Sequence, residues 1–142
     1  MKLLNCLLII SMIAFMACTS DSHCDKMCLS QRFVEDNFMK TIFDDDFILF
    51  TFYDSGICHR CYRVPMYTVY VTICNQYSDK IIYLITDSDT TINRLSAYQF
   101  HNVHFLVDKH RKQDVYGIDK EIPEVMVFSN RKLTNLFLVD RK

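Results

Sequence analysis

Tryptophan is absent from these 142 residues, and only two glycines (Gly56, Gly117) and two prolines (Pro65, Pro123) occur, so each of these four is expected to mark a special backbone position. An excess of either charge is also missing: 16 basic residues stand against 17 acidic ones, a formal net charge of −1. That balance argues against nucleic-acid binding and against a polybasic membrane patch. No apolar run reaches the roughly 20 residues of a membrane span. What remains is a globular composition, half apolar and 13% aromatic, long enough for one domain with a real core.

The chain is organised around Phe47-Ile-Leu-Phe-Thr-Phe-Tyr53, Asp54-Ser-Gly-Ile57 and Cys58-His-Arg-Cys61. The first stretch is uncharged and rich in β-branched and aromatic residues, which predicts a buried strand. Asp54-Ser55-Gly56 is turn chemistry. The run from Cys58 to about Tyr77 is expected to continue as a helix, kinked at Pro65. Two cysteines three apart at a helix start lie on one face, where their sulfurs can join in a small ring. Free N–H groups and the helix dipole favour an anion there, and His59 and Arg60 add positive charge. Both effects stabilise the thiolate that acts in disulfide exchange. A zinc site is the competitor, but no second CxxC follows Cys61, and His101, His104 and His110 are scattered. An inert buried cysteine pair is the other alternative.

Residues 1–17 read as a signal peptide: Lys2, then an apolar run from Leu3 to Met16, then Ala17-Cys18. Phe15-Met-Ala-Cys18 is similar to the lipobox of bacterial lipoproteins, which makes Cys18 the expected lipidated residue; an ordinary secretory signal is the alternative. Either puts the mature chain where disulfides persist. Residues 18–26 form a polar tether, and residues 27–142 the domain. Cys24 and Cys28, four apart, suit a structural bridge or a thiol relay. Apolar spacing from Met27 to Ile42 predicts an amphipathic helix, closed by Asp44-Asp45-Asp46. Further on, Lys80–Thr86 and Val103–Val107 are expected strands, with Asp87-Ser-Asp89 capping a helix over Thr91–Phe100. Cys74 is expected to be a small buried hydrophobe. A helical turn at Gln113–Tyr116 ends at Gly117. Val125–Phe128 and Leu133–Val139, separated by Ser129–Lys132, read as a hairpin, and Pro123 before it is a candidate cis-proline.

This order, an α/β arrangement with a mixed central sheet flanked by helices, resembles the thioredoxin-like superfamily from about Asp46 onward. It is most similar to the redoxin branch of TlpA- and ResA-like envelope proteins. The resemblance rests on Phe47–Tyr53 with Cys58-His-Arg-Cys61, on Val103–Asp108 with Tyr116-Gly-Ile118, and on Ile122-Pro123 leading into Val125–Phe128. It implies a membrane-tethered thiol–disulfide oxidoreductase in which Cys58 attacks and Cys61 resolves, with Ile122, Pro123, His59 and Arg60 meeting the substrate. It implies no cofactor and no metal, and as partners disulfide-containing envelope proteins and an upstream electron donor. The expected location is the bacterial cell envelope, periplasm-facing or on the surface, anchored to the membrane through Cys18. His-Arg is an unusual dipeptide for the family's reducing members, although the lipoprotein relatives point to reduction. Phe52 stands where thioredoxins keep an acid, which leaves water or another acid, such as Asp54 or Glu121, to take the Cys61 proton. The chain stops after the last strand, without the usual covering helix, so the Met27–Ile42 helix or a partner is expected over that face. The alternative function is a non-catalytic binding module of the same fold with a structural disulfide, and a further one is a metallochaperone.

Overall fold

Phe47–Thr51 forms the central strand β1, every residue of it buried. The computed structural model describes residues 25–54, 65–110, 112–119 and 121–139. Before β1 comes helix α1 (Lys26–Asn37). After it come α2 (Met66–Gln76), β2 (Ile82–Thr86), α3 (Asp89–Ser96), β3 (Val103–Val107), a 3-10 helix (Lys112–Tyr116), β4 (Glu124–Ser129) and β5 (Lys132–Leu138). The strands form one sheet in the order β3-β2-β1-β4-β5. β1, β2 and β3 run parallel, and β4 and β5 are antiparallel to their neighbours. This is the expected α/β architecture with a mixed sheet flanked by helices.

Both faces of the sheet are covered over its centre, which is why β1 and β2 are continuous apolar runs rather than alternating ones. Strand periodicity divides the core in two. Phe47, Leu49 and Tyr53 join Tyr83, Ile85, Met126 and Phe128 under Phe33 and Val34 of α1. Phe47 and Phe128 stack with ring centroids 4.5 Å apart. On the other face Ile48, Phe50, Phe52, Ile82 and Leu84 pack under Tyr70, Ile73 and Cys74 of α2 and Leu95 of α3. A fully buried aromatic such as Phe33 contributes about 1.5–3 kcal/mol.

The element ends explain where the expected boundaries move. Asp25 caps α1, its carboxylate accepting the Cys28 N–H at 2.9 Å. The helix closes at Asn37 rather than Ile42, and residues 38–41 continue as turns. Pro65 does not kink a continuous helix. It precedes Met66 as the N-cap with ψ 136°, an extended backbone, because a ring without an N–H fits a helix start. Ser88 caps α3, taking the Thr91 N–H at 3.2 Å. That helix ends at Ser96, short of Phe100, and Gln99 then takes a positive φ of 55°. Asn130 and Arg131, with φ 49° and 62°, make the two-residue hairpin turn of type I′. The Arg131 guanidinium fastens that turn to the end of the α1 segment, donating to the Met39 and Ile42 carbonyls, each at 2.9 Å.

Of the two covers expected for the open sheet face, the Met27–Ile42 helix or a partner, the helix is ruled out. α1 lies on the face carrying Phe47 and Leu49, not on the face beside α2. On that second face a groove of about 420 Å³ runs between α2 and the hairpin, lined by Val69, Ile73, Tyr77, Val125, Phe137 and Val139 among others. Among the described residues nothing covers it, and Phe137 is 49% exposed.

Candidate active site

Parallel strands end together, so the carboxyl ends of β1, β2 and β3 share one edge of the sheet, where Asp54, Asp87 and Asp108 follow them. β4 runs the other way and therefore begins at this same edge. Phe50 pairs with Val125, which sets Thr51 opposite Glu124 and brings Pro123 alongside the end of β1. Carboxyl ends of strands, where neighbours change direction, are where α/β sheets form ligand crevices. The segment that leaves this edge after Asp54 carries Cys58, His59, Arg60 and Cys61. Those four residues lie outside the described residues, as do Cys18 and the rest of residues 1–24.

Of the sequence-predicted site residues, Ile122 and Pro123 are described, half-buried and buried. The Asp119 carboxylate accepts the Glu121 N–H at 2.7 Å and the Ile122 N–H at 3.3 Å, turning the chain into β4. The Pro123 carbonyl accepts the Val139 N–H at 3.0 Å. The Ile122–Pro123 bond is not cis, contrary to expectation: no cis peptide occurs among the described residues. Asp119 makes the turn, so the direction change needs no cis-proline.

The residue that sequence reasoning missed is Glu124, which is 0% exposed. The Thr51 hydroxyl accepts its backbone N–H at 2.8 Å. Its Oε1 takes the Lys26 ammonium at 2.5 Å and the Asp119 N–H at 3.2 Å. Its Oε2 has no hydrogen-bond partner. Burial raises the carboxyl above its ordinary value, and Lys26 works against that rise. Lys26 also donates to the Gly117 carbonyl at 2.6 Å. A glutamate beside a turn reads as solvated; only the pairing of β4 with β1 turns it inward.

Tyr53 lies next to this acid. Its hydroxyl donates to Asp108 Oδ2 at 3.3 Å. Burial first, then the charges of Asp108, Asp87 and Glu124, raise its pKa, so it stays protonated. Asp108 in turn receives the backbone N–H groups of Lys112 and Gln113, at 3.0 and 3.2 Å. On the other side of Asp54, Arg94 Nη1 lies 3.3 Å from its carboxylate and 3.3 Å from the Tyr67 hydroxyl.

The remaining cysteines and histidines divide simply. Cys74 is free and buried, and burial pushes its thiol up to about 11. Cys28 is disulfide-bonded. Its partner lies outside the described residues, since Cys74 is the only other cysteine among them. His104 stacks on Tyr83 at 5.3 Å, and His101 and His110 are exposed.

The chain matches no protein-family model, no curated protein and no solved structure.

Proposed function

We propose that this chain is a thioredoxin-like thiol–disulfide oxidoreductase of the bacterial cell envelope, acting on protein disulfides through Cys58 and Cys61. The observation that carries the reading is the Thr51–Glu124 pairing, which sets Pro123 beside the strand end from which the CxxC segment departs. The strand–helix–strand unit β1-α2-β2, followed by the antiparallel β4–β5 hairpin, is the order that the resemblance calls for.

In this mechanism the Cys58 thiolate attacks a substrate disulfide, forms a mixed disulfide and releases one substrate thiol. Cys61 then attacks Cys58, forming the Cys58–Cys61 bond and freeing the second substrate thiol. His59 and Arg60 stabilise the thiolate, and Ile122 and Pro123 meet the substrate chain. Two electrons pass to the substrate, which makes the protein a reductase supplied by an upstream donor. Cys18 holds it to the membrane by a lipid.

The test is trapping. Cys61→Ser should accumulate mixed disulfides with envelope proteins that resolve on non-reducing gels and vanish with added dithiothreitol, and Cys58→Ser should accumulate none. Equal patterns from both variants would contradict the assignment.

A second reading, a binding module with a static disulfide, is favoured by the open apolar groove beside α2. It predicts that neither variant traps a partner.

A further inference from the structure

β5 is an edge of the sheet, paired with β4 on one side only. The Pro123 carbonyl takes the Val139 N–H, so Val139, Phe137 and Asn135 turn their backbone groups toward β4. The alternation of an antiparallel pair then turns the N–H and C=O of Leu136 and Leu138 outward. Nearer the hairpin turn the edge is closed, where Gln31 of α1 accepts the Leu133 N–H at 3.3 Å. The open stretch is residues 134–138.

Free N–H and C=O groups on an edge template pairing with another chain, and proteins that stay monomeric guard them with a charge, a proline or a bulge. Residues 134–138 carry no charge and no proline. The irregularity in the β4–β5 ladder falls at Val127/Phe128, toward the turn, and leaves residues 135–138 in regular register. Phe137 points to the groove beside α2 and Leu138 to the other face, and both are about half exposed, Leu138 at 53%. The opposite edge, β3, differs: of its residues only His104 is exposed, and that ring stacks on Tyr83.

The β5 sequence is complementary to its own reverse. With Leu136 at the centre, Phe137 falls opposite Asn135, Leu138 opposite Thr134, and Lys132 opposite Asp140, which follows Val139 in sequence. Uncharged residues meet uncharged ones, and the two ends meet with opposite charge. That charge pattern selects a second copy as the occupant of this edge.

We infer that two copies of this chain pair through β5, antiparallel about a two-fold axis at Leu136, and join two five-stranded sheets into one. The same patch meets itself, so the assembly closes at two. Outward N–H and C=O groups of Leu136 bond their counterparts, and the exposed side of Phe137 is covered by the partner strand. An axis normal to the sheet keeps both α1 helices on one face and both grooves on the other, where the grooves adjoin. The pairing needs nothing from the dithiol segment. A strand pair of this length buries roughly 1,000 Å² or less, the low end for a specific interface, so dissociation in the micromolar range is expected.

Sedimentation equilibrium of the full chain from about 1 μM to about 1 mM, joined to amide hydrogen exchange, tests this. The mass should rise from 16.9 kDa toward twice that value, and the Leu136 and Leu138 amides should become protected over the same range. Leu138→Lys puts a charge on the open edge at an exposed position, and should remain folded by circular dichroism and monomeric throughout. Lys132→Asp should weaken association about tenfold, since like charges replace opposite ones at both ends, and adding Asp140→Lys should restore it. A chain that stays at 16.9 kDa overturns the proposal. So does a dimer that Leu138→Lys leaves intact, or one in which the two amides stay unprotected. Failure of Asp140→Lys to restore association overturns the register at Leu136. Protection of the two amides in a monomer, seen only when an extended apolar peptide is added, would give the edge to another protein and overturn the dimer.

Discussion

The Thr51 hydroxyl accepts the backbone N–H of Glu124 at 2.8 Å, joining the end of β1 to the start of β4 across 73 residues of chain. Both residues are 0% exposed, so water cannot replace the bond. Thr51→Val keeps the shape and leaves the amide unpaired. We expect a loss of about 1–3 kcal/mol in urea unfolding. Unchanged stability would mean that the amide finds another partner.

Glu124 gives the protein an unusual pH dependence. Its pKa is raised on folding, mainly by burial, so the folded state holds the proton more tightly than the unfolded one. Stability from this group is therefore greatest when it is protonated, and declines as pH rises from the ordinary 4.5 through its folded value. Glu124→Gln should flatten that decline in unfolding curves taken from pH 4.5 upward. A decline of the same size in the variant would assign it to another group.

Asp46 carries the opposite sign. It accepts the Asn130 N–H at 2.9 Å and the Ser129 hydroxyl at 3.0 Å, which hold its pKa below the ordinary 3.8. Its contribution is present above 3.8 and lost as pH falls through the folded value. Asp46→Asn should weaken the hairpin turn at neutral pH and soften the acid limb below pH 3.8. Melting curves of the two proteins that run parallel down to pH 2 would contradict this.

Phe33 anchors α1, with ring centroids 5.4 Å from Phe38 and 5.7 Å from Tyr116. Phe33→Ala should cost about 3–5 kcal/mol, since it empties the core between α1 and the sheet. A loss under about 1 kcal/mol would show that α1 is an accessory rather than part of the fold.

Much of the frame was legible in the sequence. The uncharged run at Phe47 announces a buried strand, Asp87-Ser-Asp89 a cap, and Ser129–Lys132 a hairpin. Local signals sufficed because each depends on a few neighbouring residues. Pro65 misled because a proline inside an apolar stripe reads as a kink, whereas its backbone is extended and the helix starts after it. The face covered by α1 could not be read, because spacing gives a helix's apolar stripe but not its partner. Lys26 reads as tether and Glu124 does not stand out in the sequence for the same reason: their pairing spans 98 residues and exists only once β4 has joined β1.

The most direct measurement is a redox titration of the purified protein in glutathione buffers, with the thiols of Cys58 and Cys61 counted by peptide mass. The account predicts one reversible two-electron couple with a midpoint between about −120 and −270 mV, the span of known exchangers. A pair that stays oxidised below about −300 mV, as structural disulfides do, would contradict it.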